Sequence, residues 1–289
     1  MPEKIKDTKK LQYIARQIST NVVKMIAKSG IGHLGGSVSI AELLSVLYFY
    51  EMNLDPKNPL WEDRDRFVLS KGHGCPALYA ALAEVGYIPK DMLLTLHEID
   101  SPLQMHPEKN LCPGVEMSTG ALGQGLSTAV GMALGAKIKN KDFRVYSIVG
   151  CGECQEGQIW EAAMFAPKYK LDNLVAIIDY NKLALSGRTQ EVMPLEPLHA
   201  KWFAFGWHVI DVNGHDVTQI ANALDEAREI KGKPVFIIAH TIKGHNISFI
   251  ADQQKSHSVP MNKEKARIAL QDLDCPEDEI KEFLAKMKE

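Results

Sequence analysis

From Arg144 to Asn181 the chain reads as strand, glycine turn, helix and strand, and a segment of that kind leaves few ways to fold. An apolar β-branched run, Arg144-Val-Tyr-Ser-Ile-Val149, opens into Gly150-Cys-Gly-Glu-Cys-Gln-Glu-Gly157; a helix follows, and a second apolar run, Leu174-Val-Ala-Ile-Ile-Asp-Tyr-Asn181, closes the unit. Strands that are apolar along their whole length are covered on both faces, as in a parallel sheet whose strands are joined by helical crossovers. Glycines at the end of the first strand bring backbone N–H groups close to an anion, and the Asp-x-Asn ending the second supplies oxygen ligands beside it. The segment therefore reads as a cradle for a diphosphate and a metal ion.

The rest of the chain extends this pattern. Leu11, Ile14, Ile18, Val22, Met25 and Ile26 recur at helical spacing and predict a helix over 8–29 that stops at Ser29-Gly30. A glycine-rich link, Gly32-His-Leu-Gly-Gly-Ser37, leads to a second helix over about 38–50. A strand at 66–70, a helix at 76–85, an irregular stretch through Pro113 and a small-residue helix over 123–138 come next. Strands at 208–212 and 235–240 flank an alanine-rich helix over 217–230, and a terminal helix follows Pro276. This alternation predicts an α/β fold, a doubly wound, mainly parallel sheet with helices on both faces, in one domain spanning 1–289. Ligands of such sheets sit beyond the carboxyl ends of strands. Ser70-Lys-Gly-His73, Gly150 to Gly157, Asp179 to Asn181 and His240-Thr-Ile-Lys-Gly244 all follow strand ends and are expected to converge on one rim.

Bulk properties narrow the function. A chain of 289 residues with 45% hydrophobic content can bury a sizeable core, and a net charge of -3 speaks against nucleic-acid binding. No apolar run reaches the length of a membrane span and the N-terminal stretch lacks the apolar core of a secretory signal, so no membrane partner and a cytoplasmic location are expected. Five cysteines in a chain this long argue against a disulfide framework.

Of the ten histidines, most are expected at the surface or as satisfied core residues. His33, His73, His106 and His257 differ, because they sit in glycine-rich or turn contexts rather than in periodic segments. The stretch Ser118-Thr-Gly-Ala-Leu-Gly-Gln-Gly125 has two readings on its residues alone. Its glycines either let a flat ring approach the backbone or form a tight turn under a closely packed helix.

The glycine loop, together with Glu156-Gly-Gln-Ile-Trp-Glu-Ala162, Leu171-Asp-Asn-Leu174 and the Asp-Tyr-Asn181 that follows, resembles the thiamine-diphosphate signature of transketolases. Pro113 to Gly125 and the four histidine contexts are similar to the family pattern as well, and the resemblance runs from about residue 9 to 289. It implies thiamine diphosphate as cofactor, with its diphosphate held through Mg²⁺ or Ca²⁺. By that resemblance His73 and His257 contact the diphosphate, Gly152, Glu153 and Asn181 belong to the cofactor loop, the Gly120 carbonyl faces the aminopyrimidine and Leu122 packs near the thiazolium. His33, His106 and His257 are implied as catalytic groups toward substrate hydroxyls, and Glu156 as a catalytic group near the pyrimidine at a dimer interface.

Two departures from the family stand out. Ser258 follows His257 where members have Gly, and Cys151 stands where members have the metal-binding Asp, beside the other implied metal ligands, Asn181 and the Leu183 carbonyl. A thiol is a softer and less charged donor than a carboxylate, so the metal site is expected to survive in weakened form. A rival reading takes Cys151 and Cys154, spaced C-x-x-C near a helix start, as a redox switch with lowered thiol pKa.

Complete transketolases are more than twice this long. The resemblance thus implies the N-terminal subunit of a split transketolase, active with a C-terminal partner subunit that carries the pyrimidine-binding and third domains, in an α2β2 assembly. The implied reaction moves a two-carbon ketol unit from a ketose phosphate to an aldose phosphate, as in the pentose phosphate pathway. The alternatives are ketol or acyl transfer on an unusual sugar, or a regulatory or scaffold subunit whose metal site is impaired.

Overall fold

The computed structural model describes residues 4–287. Five strands, β1 (Arg66–Leu69), β2 (Val145–Gly150), β3 (Leu174–Tyr180), β4 (His208–Asn213) and β5 (Val235–His240), form a sheet ordered β1-β2-β3-β5-β4, every neighbouring pair parallel. The α-helices are α1 (Thr8–Ser29), α2 (Leu34–Val38), α3 (Ala41–Val46), α4 (Cys75–Val85), α5 (Gln124–Ile138), α6 (Gly157–Lys168), α7 (Thr189–Val192), α8 (Leu198–Ala204), α9 (Val217–Glu229), α10 (Lys263–Asp272) and α11 (Glu277–Ala285). No described helix is long and apolar enough to cross a membrane.

Side-chain alternation builds the layers. Tyr146 and Ile148 of β2 enter one apolar core while Val145 and Val149 enter another; β3 and β5 divide their residues in the same way. With both sets buried, the strands show no polar alternation in sequence, as expected for a parallel sheet covered twice. Helices α1, α3, α4, α9, α10 and α11 cover the first face, and α5, α6 and α8 the second. In the second core Trp202 stacks on Phe236 with ring centroids 3.7 Å apart, and the Trp207 indole N–H donates to the Ala163 carbonyl at 2.8 Å.

Helix ends follow local chemistry. The Asp7 carboxylate accepts the Lys9 N–H at the start of α1, and Gly30 ends that helix at φ 77°, where a Cβ would be strained. Asp216 and Asn262 cap α9 and α10 through backbone N–H groups two or three residues on.

One of the expected helices departs from the sequence expectation. In place of a helix over 38–50, α2 starts at Leu34 inside the glycine-rich link, the backbone leaves regular helix at Ile40, and α3 then runs into a π-helical turn over Leu47–Glu51. Gly35 and Gly36 are poor helix formers, but a Cβ on Gly35 would lie 2.5 Å from the Ser256 carbonyl oxygen, and one on Gly36 would lie 3.3 Å from His73 Nε2. Packing against distant segments needs glycine here and overrides local propensity.

The sheet register sets up the site. Gly150 pairs with Asp179 and Asp179 with Ala239, so the loops leaving β2, β3 and β5 start level with one another, and Ser70 lies one residue beyond the β1–β2 pair Leu69 and Ile148.

Candidate active site

A cavity of about 230 Å³ opens at this carboxyl rim. His33 enters it from the start of α2, His73 from the 3₁₀ turn after β1, His106 from the irregular segment before α5, and His257 from the 3₁₀ turn Gln254–His257. Tyr79 of α4 fixes the irregular segment by donating its hydroxyl to the Gln104 and His106 carbonyls at 3.0 and 3.2 Å. Ring centroids lie 4.9 Å apart for His33 and His257, 5.1 Å for His73 and His257, 5.5 Å for His33 and His73, and 6.1 Å for His33 and His106.

All four imidazoles are neutral at physiological pH. Burial, then Lys71 and the neighbouring His257 and His33, push His73 down to about 2. Burial, then Lys243, brings His257 to about 4. His33 is lowered by burial and by His106, and His106 by burial. Among the described residues no hydrogen bond involves any of the four rings, so their nitrogens remain free for a ligand in the cavity.

Gly120, Leu122, Cys151, Gly152, Glu153, Asn181 and Leu183 line the same cavity. Gly120 has φ 152°, and a Cβ there would stand 3.0 Å from the His106 ring. The stretch before α5 therefore packs tightly, as one of its two readings had it, and Gly120 also lines the cavity. Glu153 holds the cavity wall together, accepting from Ser70 Oγ, from the Gly123 N–H at 2.9 Å and from the Gly150 N–H at 2.9 Å. Burial raises its pKa, and these donors offset part of the shift. Glu156 is not in the cavity; it is exposed at the N-cap of α6.

Three further ionisable residues line the wall: Lys71 and Lys243, which were not singled out from sequence, and Asp179, expected to offer an oxygen to a metal but occupied by donors of the protein itself. Lys71 is buried and donates to Asp179 Oδ2 at 2.6 Å and to the Gly36 carbonyl. Asp179 also accepts from Ser39 Oγ and Asn181 Nδ2, each at 2.8 Å, and from Thr241 Oγ1. Burial alone would raise the Asp179 pKa, but Lys71 and these donors bring it below the ordinary value. Lys243, after β5, lines the cavity at 4% exposure.

The donor set is poor for a hard divalent ion. Cys151 is buried, and burial followed by the nearby Asp179 charge pushes its thiol up to about 12. Its S–H donates to the Asp179 carbonyl at 3.1 Å, and its sulfur accepts the Lys182 N–H at 3.2 Å. Asn181 Oδ1 accepts the Leu183 N–H at 3.1 Å, and the two carboxylates of the wall are taken by their own donors. What the wall offers a cation is the Asn181 and Leu183 oxygens and the Cys151 sulfur, with no free carboxylate. The same burial overturns the redox reading: both thiols are free, and Cys154 is enclosed in the second core with its pKa pushed well above the ordinary value, where C-x-x-C activation needs it lowered.

Comparison with known proteins matches residues 10–282 to a family described as the transketolase thiamine diphosphate binding domain. The 6-deoxy-6-sulfo-D-fructose transketolase subunit of Clostridium sp. (strain MSTE9) is 48% identical over 91% of this chain and 96% of its own length. An apulose-4-phosphate transketolase subunit of Actinobacillus succinogenes is 43% identical, over 91% of this chain and 95% of its own. The crystal structure of Campylobacter jejuni transketolase superposes with a TM-score of 0.88 at 32% identity, covering 97% of this chain, which spans 46% of that one.

Proposed function

The chain belongs to the transketolase family, and from that membership we propose that it is the thiamine-diphosphate-binding N-terminal subunit of a two-subunit enzyme that moves a two-carbon ketol unit from a ketose to an aldose. The observation that carries this reading is the convergence of four neutral imidazoles on one cavity at the carboxyl ends of the strands. A neutral imidazole holds one donor and one acceptor, so His33 and His106 are equipped to exchange protons with sugar hydroxyls, and His257 to hydrogen-bond both a hydroxyl and the diphosphate. His73, beside Lys71 and behind Gly36, is placed to donate to an anionic oxygen. Thiamine diphosphate, when bound, supplies the electron sink for breaking and making the carbon–carbon bond. The Gly120 backbone and Leu122 leave the opening a flat ring needs, while Gly152 and Asn181 line the diphosphate end. Mg²⁺ or Ca²⁺ enters only as an accessory, since Asn181 Oδ1 and the Leu183 carbonyl offer it no anion.

Two of the similar proteins are named as transketolase subunits for a sulfonated and a phosphorylated sugar. We extend that substrate class to this chain: a ketose with a terminal anionic group, including sugars outside the common sugar phosphates. The partner subunit completes the pyrimidine side of the site, near Glu156, in an assembly of two copies of each subunit. A cavity that keeps all four imidazoles speaks against a purely regulatory subunit.

The test is to incubate the chain and its partner subunit, loaded with thiamine diphosphate, with sulfonated and phosphorylated ketoses and an aldose acceptor, reading products by mass spectrometry. The expected result is a donor shortened, and an acceptor lengthened, by two carbons. A cofactor-loaded complex that exchanges no two-carbon unit with any ketose would overturn the reading.

A further inference from the structure

We propose that Glu42 and His215 are a positioning pair for this site: the buried Glu42 carboxylate fixes the His215 tautomer, and His215 holds the exit of β5 against α2, the helix whose N-cap is His33. The inference rests on the ketol-transfer reading above and deepens it.

The exit of β5 needs such a hold. Its ladder ends where His240 pairs with Tyr180 and Asn213, and the Thr241 N–H reaches back to the Tyr180 carbonyl at 3.4 Å, so the Ile242 N–H lies beyond the last strand partner. The Ile242 side chain is exposed, and apolar burial therefore does not fix the turn. Both polar groups of Ile242 are gripped instead: its N–H donates to His215 Nε2 at 2.8 Å, and its carbonyl accepts the His245 N–H at 3.1 Å. Two contacts carry this placement into the cavity wall. Thr241 Oγ1 donates to Asp179, and the Gly244 N–H donates to the Gly35 carbonyl at 3.0 Å, two residues beyond His33. Ser37 Oγ, donating to the His33 carbonyl at 2.7 Å, ties that histidine to the same helix.

The tautomer follows from these bonds. Because His215 Nε2 accepts, its proton sits on Nδ1. That N–H meets Glu42 Oε2 at 3.1 Å and is the only hydrogen-bond donor to the carboxylate among the described residues. The two side chains are 10% and 4% exposed, so neither can turn to solvent for a substitute. Without the carboxylate the ring would bury an unpaired Nδ1–H or move its proton to Nε2, where it would stand donor against donor with the Ile242 N–H. Glu42 lies in the first turn of α3, directly after α2, so helices and loop close into one ring of contacts. The same bonds decide against a metal centre. Ligand atoms of Glu42, His215 and His245 lie within 4.8 Å of one another, but a protonated Nδ1 cannot ligate an ion and Nε2 is already taken. His245 stacks on His215 with ring centroids 3.5 Å apart, closing the pair from the loop side.

The test is hydrogen exchange read by mass spectrometry on the complex with the partner subunit, alongside steady-state ketol transfer. In Glu42→Leu and in His215→Phe the peptide spanning 241–245 is expected to exchange at least tenfold faster and kcat to fall at least tenfold, with β2 and β3 as protected as in the parent. Glu42→Gln keeps an oxygen for the Nδ1–H, and His215→Gln offers an oxygen to the Ile242 N–H, so both should stay within threefold of the parent in exchange and in kcat. Protection of 241–245 that survives Glu42→Leu, or a Glu42→Gln variant that behaves as Glu42→Leu does, overturns the inference. Faster exchange with unchanged kcat overturns it as well, as does protection lost throughout β2 and β3, which would make the pair a support of the whole fold. A stoichiometric Zn²⁺ ion held by the parent and lost in Glu42→Gln would overturn it in favour of a metal centre. Each of these outcomes leaves the ketol-transfer reading standing, whereas a cofactor-loaded parent complex without ketol transfer overturns both.

Discussion

Four histidines share one cavity, and their titration has a sign that can be worked out. An unfolded chain holds its histidines near pKa 6.5, whereas His73 is brought to about 2 and His257 to about 4 by burial and the nearby lysines. Below pH 6.5 the unfolded state takes up protons that the folded state does not, so stability is fully present above that pH and falls as pH drops toward 4. Each such proton contributes a slope of about 1.4 kcal/mol per pH unit. Urea unfolding of the cofactor-free chain at pH 7.5, 6 and 5 is expected to show this loss, and the double variant His73→Asn, His257→Asn to flatten it. An unchanged slope would place the protons elsewhere. The four rings also differ in role. His73→Ala and His257→Ala are expected to weaken thiamine diphosphate binding by about 1–3 kcal/mol, while His33→Ala and His106→Ala lower turnover and leave the cofactor Kd nearly intact. Calorimetry and kinetics on the same preparations check this, and equal effects from all four would contradict the division.

Among the elements, the ends of β1 and β2 and the start of α5 behave as one unit because Glu153 ties them together. Its carboxylate serves Ser70 after β1, Gly150 at the end of β2 and Gly123 ahead of α5. The approach is close: a Cβ on Gly125 would lie 2.6 Å from the Ser70 Cα. Glu153→Gln removes one of the two acceptor oxygens and sets an N–H against backbone N–H groups, leaving a buried donor unpaired. The expected cost is about 1–3 kcal/mol of unfolding free energy, together with weaker cofactor binding, because Gly120, Leu122 and Gly152 move with these ends. Chemical denaturation and cofactor titration read the two effects. A stable variant with unaltered binding would show that the three ends do not depend on this carboxylate.

For the whole molecule the question is what covers its outer surface. Met164 and Phe165 of α6 and Phe203 of α8 are exposed, Phe203 to 67%, on the helical layer whose N-cap residue Glu156 is exposed as well. Large apolar side chains left in water favour association. The chain alone is expected to lack ketol transfer and to self-associate, and with its partner subunit to give a species of two copies of each by light scattering. A monodisperse monomer with full ketol-transfer activity would sink this expectation.

The parallel sheet and the site loops were legible because they rest on local patterns: unbroken apolar runs give doubly covered parallel strands, and glycine or polar turns mark where those strands end. From these came the sheet and the rim; the resemblance to transketolases supplied the candidate site residues, and the cavity gathers all of them except Glu156, which lies outside on the surface. Helix α2 was hidden, since Gly35 and Gly36 signal a link by propensity and become helical through contact with Ser256 and His73 from remote parts of the chain. Lys71 and Lys243 were hidden for a related reason. Whether a lysine is solvated, paired or buried without a partner depends on what the register brings next to it, and Asp179 reaches Lys71 across 108 positions. The pair Cys151 and Cys154 makes the same point in reverse: their spacing suggests a reactive dithiol, and burial raises the pKa of both thiols instead of lowering it. Periodicity and turn chemistry are written along the chain, whereas dielectric, charge pairing and tautomer arise only where distant segments meet.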